Sequence, residues 1–360
     1  MDPRTPVWDN TLGRAAIRSA QTLLVLSLVV VVTYAAIQLR LLVVPLLLAT
    51  LVAAAASPVV DWLTGRRMPR MLAVWLTLLT GFAVVGAIGW WIGSAVSDQW
   101  DDLVDSATGG WEKLRDFVLT GPLPVKEEDF AGLMDRLGEF AAGPTVQQGA
   151  LSGATLVAEV ITGLFLGLVL LFFLLKDGRA IWSFLSDQLP ERYRERYDEA
   201  ASRAAGVLGG YVRGTAVIAL VDALVIGVAL AVIGVPLALP LAVVVFFGAF
   251  LPLVGATIAG ALAALVALVS NGPLTALIVV GVVIAVNQLE GDILAPVVLG
   301  QALSLHPLAI LMALTAGTIV AGIIGALLAV PFAAVAWTVV KTFRELGDSA
   351  TPPEVAAPTG

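Results

Sequence analysis

Asn287-Gln288-Leu289-Glu290-Gly291-Asp292 packs two amides and two carboxylates into six residues, and His306, the chain's single histidine, follows shortly after. The amides of Asn287 and Gln288 offer neutral donors and acceptors to a polar, uncharged solute. Glu290 and Asp292 can take up a proton or a cation. His306 changes charge near neutral pH when unperturbed. Upstream, Asp222 stands alone in TAVIALVDALVIGVAL. A carboxylate at the centre of a membrane helix costs about 2.5–3.5 kcal/mol on insertion scales. Asp222 must therefore be protonated, paired or turned towards a cavity. Each residue also has a plainer role. Asp292 can cap the next helix, Glu290 can face water at an outer mouth, and Asp222 can bond to a neighbouring helix. His306 precedes Pro307, which pushes its backbone towards extended geometry and suits the start of a helix.

The elements that must position these residues are set by composition. The 360 residues are 59% hydrophobic and 13% charged, with mean hydropathy +0.96. Soluble domains carry about 25% charged residues. From Thr215 to Asn271, 57 residues contain one charge, Asp222. That length of uncharged chain makes the bilayer the solvent. There are no cysteines, which excludes disulfides, thiolate catalysis and Cys-ligated metals. A lone histidine excludes paired-His zinc sites. The chain has no GxSxG elbow and no GxxxxGK[ST] phosphate loop, so neither an intramembrane enzyme nor a self-contained ATPase is expected. No cofactor is implied, and interleaved acids argue against a nucleic-acid partner.

The spans follow from runs of about 20 apolar residues: Thr22 to Leu39, Leu41 to Val60, Met71 to Val96, Ala154 to Leu175, Thr215 to Ile233 and Pro307 to Val330. The first is read as a retained helix rather than a cleaved signal. Arg66, Arg67 and Arg70 make the loop after the second span cytoplasmic, and 97–152, with eleven acids to four bases, external. Phe130, Leu133, Met134, Leu137, Phe140 and Ala141 give that segment an amphipathic helix. Seven bases between Lys176 and Arg213 mark the next loop as cytoplasmic. Pro190 suits the first turn of a helix there, and Glu199 with Arg203 forms an i,i+4 pair. Pro236, Pro240 and Pro252 interrupt the apolar stretch to Ser270, too long for one straight span and short for two. Pro252 and Gly255 in FLPLVGATIAG mark a broken or re-entrant helix. Non-helical backbone at that depth must be surrounded by protein or line a cavity. Gly163 with Gly167, Gly206 with Gly210 and Gly214, and Gly317 with Ala321 and Gly325 read as packing faces. Trp90, Trp91 and Trp100 fit an interfacial belt.

The expected fold is all-α, a polytopic transmembrane protein of about eight spans, with proline-broken or re-entrant helices in its C-terminal half. Its organisation is 1–96 with transmembrane helices 1–3, 97–152 an external amphipathic segment, 153–175 a fourth spanning helix, 176–213 a cytoplasmic interfacial helix, 214–344 a C-terminal bundle with broken helices, and 345–360 a disordered tail.

Several motifs resemble the autoinducer-2 exporter family of bacterial permeases. These are VPLLLATLVAAAASPVVDWLTGRRMPR, then LLKDG with LPERYRER and YVRG, and, most specifically, FLPLVGATIAG, NQLEGDILAPVVLGQALSLHPLAILMAL and AGIIGALLAVPFAA in that order. The resemblance implies a multi-pass transporter of the bacterial cytoplasmic membrane, homo-oligomeric, a pentamer being the arrangement it suggests. It implies secondary-type export of a small polar molecule, autoinducer-2-like, a quorum-sensing signal. Other members are similar to sodium or lithium/proton antiporters, which is the alternative. A non-transporting membrane scaffold is a remoter one. The substrate or ion pathway is expected to involve Asn287, Gln288, Glu290, Asp292, Asp222, Pro252, Gly255 and His306. A proton or sodium is the expected coupling ion, and both termini are expected in the cytoplasm.

Overall fold

Hydrocarbon offers no water to unpaired backbone groups, so an apolar run long enough to cross a membrane must coil on itself. The computed structural model of the protein describes residues 11–98, 144–251, 254–298 and 305–348. Every regular element among them is a helix. They are α1 (Thr11–Gln38), α2 (Arg40–Gly65), α3 (Arg70–Asp98), α4 (Pro144–Ser186), α5 (Glu191–Ile233), α6 (Ala238–Gly248), α7 (Val254–Asn271), α8 (Pro273–Leu289), a π-turn (Glu290–Leu294), α9 (Ala295–Val298) and α10 (Pro307–Asp348). The amphipathic stretch expected between Phe130 and Ala141, Trp100, and the tail from 349 lie outside the described residues.

Seven of these elements hold segments long and apolar enough to cross a membrane. What their outer surfaces expose agrees with that. Leu24, Trp90, Val232 and Ile319 are 72–82% exposed. In water a surface this apolar would drive association; against acyl chains it is ordinary.

Two bundles share the chain. In the first, Ala53 and Val60 of α2, Ala73, Val74 and Leu78 of α3, and Leu175 of α4 form one buried cluster. Gly163 and Gly167 lie against Pro45, as their spacing suggested; a Cβ at either would sit 3.7 and 3.6 Å from the ring. Arg70 ties α3 to α4, donating from Nε and Nη2 to the Leu175 carbonyl at 3.1 and 2.8 Å. In the second, Ile226 and Leu230 of α5 pack with Leu241 and Val245 of α6, Ala259, Ala263 and Ala267 of α7, and Val279, Val283 and Val286 of α8. Leu51, Leu208 and Leu328 join the bundles through α2, α5 and α10.

The segments expected at 176–213 and from 214 onwards are not separate helices. Pro190 is the N-cap of α5 rather than a residue of its first turn, and α5 then runs unbroken for 43 residues. At 1.5 Å per residue that is about 65 Å, twice the roughly 30 Å hydrocarbon thickness. Its buried stripe, Leu208, Tyr211, Thr215, Ile218, Asp222, Ile226 and Leu230, recurs every three or four residues throughout.

The C-terminal half contains two helical hairpins. With 11 residues, α6 reaches about 16 Å, half a bilayer core. The chain reverses after it, and Gly248 meets Gly255 backbone to backbone, where no side chain would fit. Asn271, at the far end of α7, donates from Nδ2 to the Gly234 carbonyl at 3.2 Å. Both ends of this hairpin therefore lie at the same end of α5, the re-entrant arrangement that the prolines suggested.

The second hairpin corrects a sequence expectation. Pro307 to Val330 is not a straight span. Ala321 (φ −140°, ψ 22°) and Gly322 (φ 58°, ψ −137°) leave helical geometry. Gly317 meets the Gly325 carbonyl, and a Cβ at 317 would lie 2.9 Å from Cβ of Ala329. In a straight helix, residues eight apart are about 12 Å distant. The chain thus folds back on itself at 321–322. The spaced glycines pack two limbs of one element, not two separate spans. Gly322 permits the turn because residues with a Cβ rarely adopt its positive φ. The reading of Gly206 and Gly210 also changes. Neither meets anything within 4 Å of an added Cβ, whereas Gly209 does.

Gly325→Ala should lower the melting temperature in detergent, at a cost of about 1–3 kcal/mol, because the apposed backbone must move. Gly281→Ala, in open space on α8, should leave it unchanged or raise it, by up to about 1 kcal/mol. Equal shifts for the two would mean that the limbs of α10 are not packed through glycine.

Candidate functional site

Asp222 sits in the buried stripe of α5 and is 4% exposed. Its Oδ1 is buried without a hydrogen-bond partner. Glu290 reaches it from the first residue of the π-turn, and the two carboxyls come within hydrogen-bonding range of each other. Residues far apart in sequence, singled out separately above, are thus one pair. Two ionised carboxylates cannot hydrogen-bond to each other, so the pair can bond only while one of them carries a proton. With both groups ionised, two charges about 4 Å apart would repel by about 4 kcal/mol at an effective dielectric near 20.

Local structure explains why Glu290 points there. Val279, Val283 and Val286 of α8 pack into the same core as Ile226 and Leu230 of α5. Gly260 of α7 lets Val283 in closely: a Cβ on it would meet Val283 Cγ1 at 2.7 Å. This locks α8 antiparallel to α5, with its end level with Asp222. Pro296 cannot donate to the carbonyl four residues back, at Asp292. The wide π-turn Glu290–Leu294 lies directly ahead of it. Such turns often occur at functional sites.

Both hairpin turns come to the same level. Gly227 of α5 faces Ala242 of α6, where an added Cβ would lie 2.7 Å from Cβ of Ala242. Counting on from there, the α6–α7 turn falls within about two helical turns of Asp222. Arg203 pairs with Glu345 at 2.8 Å, and Tyr197 stacks on Phe343 with ring centroids 5.0 Å apart. With Leu208 against Leu328 further along, those contacts set the second limb of α10 antiparallel to α5. They bring the turn at Ala321–Gly322 within about two helical turns of Asp222 as well.

The other expected pathway residues are dispersed. Asn287 is half-buried one turn before Glu290, and Gln288 is exposed. Asp292 is exposed within the π-turn and does not join the pair. Gly255 is buried in the first hairpin; its neighbour Pro252 lies outside the described residues. His306 is exposed, and its Nδ1 accepts from the Leu308 N–H at 3.2 Å, so it caps the start of α10. Among the described residues, no three His, Cys, Asp or Glu side chains gather as a metal site would require. The arrangement can hold a proton or a monovalent cation between two carboxyls. Sequence reasoning missed Arg213 and Gly209, which join α5 to α2 below Asp222. The readable signal was Pro58, which removes a donor from the helix opposite them.

Comparison with known proteins agrees with this architecture. The model of the AI-2E family transporter matches residues 26–345. "Putative transport protein MT0215" of Mycobacterium tuberculosis (strain CDC 1551 / Oshkosh) is 43% identical over 313 residues, covering 86% of this chain and 85% of its own. "Putative transport protein YueF" of Bacillus subtilis (strain 168) is 27% identical over 318 residues, covering 83% of this chain and 82% of its own. A match over this length, to an all-helical chain whose outer surface is apolar, settles the family: the protein belongs to the AI-2E family of transporters.

Proposed function

We propose that this transporter exports a small polar solute, autoinducer-2-like, across the cytoplasmic membrane, and that proton exchange at Asp222 and Glu290 drives it. The pairing of buried Asp222 with half-buried Glu290 carries the reading. Acids inside a membrane protein are costly, and where they persist they commonly serve proton or ion relays. The proton that bridges the pair can leave to one side and be replaced from the other. Non-helical backbone at Ala321 and Gly322 lies near the same level, and broken helices commonly bind polar solutes through such backbone. Clustered Arg66, Arg67 and Arg70, and the bases between Lys176 and Arg213, favour both termini in the cytoplasm. The working unit is a homo-oligomer in the bilayer.

Sodium or lithium/proton antiport is the second reading. It is favoured by the unpartnered Oδ1 of Asp222, an oxygen that a monovalent cation could take.

In proteoliposomes with an imposed proton gradient, wild type should release autoinducer-2. Asp222→Asn and Glu290→Gln keep shape and hydrogen bonding but cannot cycle a proton as the acids do, so each should lower gradient-driven release by at least about tenfold. Release undiminished in both variants would remove the pair from the mechanism. Absence of release from folded wild-type protein, with sodium or lithium instead collapsing the proton gradient, would select the antiporter.

His306 should tolerate replacement. His306→Asn retains a side-chain acceptor at the start of α10 and should keep release within about twofold of wild type, whereas His306→Ala should cost about 1 kcal/mol of thermal stability. A His306→Asn variant with abolished release would place His306 in the pathway.

A further inference from the structure

α2 carries two prolines in its interior, Pro45 and Pro58. In an α-helix each N–H donates to the carbonyl four residues back, and proline has no N–H. Pro58 therefore leaves the Ala54 carbonyl without its helical donor. That carbonyl lies part-buried at the seam between α2 and α5, where an acceptor cut off from water and left without a partner is destabilising.

Two side chains turn to it. Ser57 donates from Oγ at 3.1 Å. Arg213, from α5, donates from Nη1 at 3.3 Å and reaches the Ala55 carbonyl at 3.4 Å. Gly209 makes room one turn earlier on α5. A Cβ there would collide with the Ala54 carbonyl and lie 2.9 Å from Arg213 Nη1. An arginine in α5, a glycine one turn before it and a proline in α2 thus form a single joint. It ties α2 to α5 by hydrogen bonds beside the apolar contact of Leu51, Leu208 and Leu328.

We propose that Arg213 is a positioning residue: its guanidinium supplies the hydrogen bond that Pro58 removes from α2, and so fixes α5, and the carboxylate further along it, to the N-terminal bundle. The joint itself follows from the geometry alone. Its effect on flux rests on the reading of Asp222 and Glu290 given above.

The chain contains no cysteine, which permits a direct test in the full-length protein. Spin labels at Val59→Cys and Val217→Cys, both 49% exposed, lie on α2 and α5 on the order of 20 Å apart along the seam. In the parent protein their distance distribution should be narrow. Arg213→Ala should broaden it and lower flux about tenfold; Arg213→Lys, which keeps the charge but not the planar fork, should do so more mildly and serves if the alanine variant does not fold. Pro58→Ala restores the N–H that the Ala54 carbonyl lacks. In that background Arg213→Ala should cost less than about threefold in flux and leave the distribution close to that of Pro58→Ala alone. An unchanged distribution in the Arg213 variants, or an equal effect of Arg213→Ala with and without Pro58, would overturn the proposal. The distances do not depend on which solute moves, so failure of the transport reading would leave this result intact.

Discussion

A lipid-filled surround provides no donor for a bare carbonyl and no counter-charge for a bare carboxylate. Plain helix answers the first demand along most of this chain. The rest of the architecture depends on what happens where plain helix fails. At Pro58 the missing donor comes from Ser57 and Arg213. At Arg70 a guanidinium spans from α3 to a carbonyl of α4. At Asp222 the neighbour is another acid, Glu290. An uncharged partner would have satisfied Asp222 more simply. Two carboxyls can bond to each other only while one carries a proton, so this is a contact whose occupancy can change.

The long α5 links these features. Its charged first half carries Arg203, bonded to Glu199 and Glu345. Its middle carries Gly209 and Arg213, joined to α2. Its apolar half carries Asp222, and its end, at Gly234, receives Asn271. Both helical hairpins take their register from it, so their turns reach the level of the carboxyl pair. Close backbone contact at Gly248 with Gly255, and at Gly317 with Gly325, lets each hairpin double back in the width of a single helix pair.

Much of this could be read before any coordinates. Long uncharged runs predicted helices, and the prolines of 236–252 predicted a re-entrant segment. Glycines at 163 and 167 predicted a packing face, and Pro45 occupies it. The pair Glu199 and Arg203 stands where i,i+4 spacing put it. Other residues misled for identifiable reasons. Gly317, Ala321 and Gly325 fit the spacing of a straight packing face. The same residues serve a reversal, because spacing records which residues are small and not where the backbone turns. Gly206 and Gly210 fit that spacing too, but the contact falls on Gly209, since the face of a helix that meets a neighbour depends on the neighbour. For His306 the plainer reading, the start of a helix, is the one that its contact with the Leu308 N–H fits.

By itself, the sequence determined the solvent, the helical class, the places where helices must break, and the identity of the costly groups, because each follows from local composition and from the backbone's need for internal hydrogen bonds. The tertiary structure alone decided that Asp222 faces Glu290, that the second hairpin reverses at Gly322, and that Arg213 answers Pro58. These are matters of register between helices distant in the chain. Register is set by which apolar side chains interlock, such as Ile226 and Leu230 with Val283 and Val286, and no local pattern encodes it.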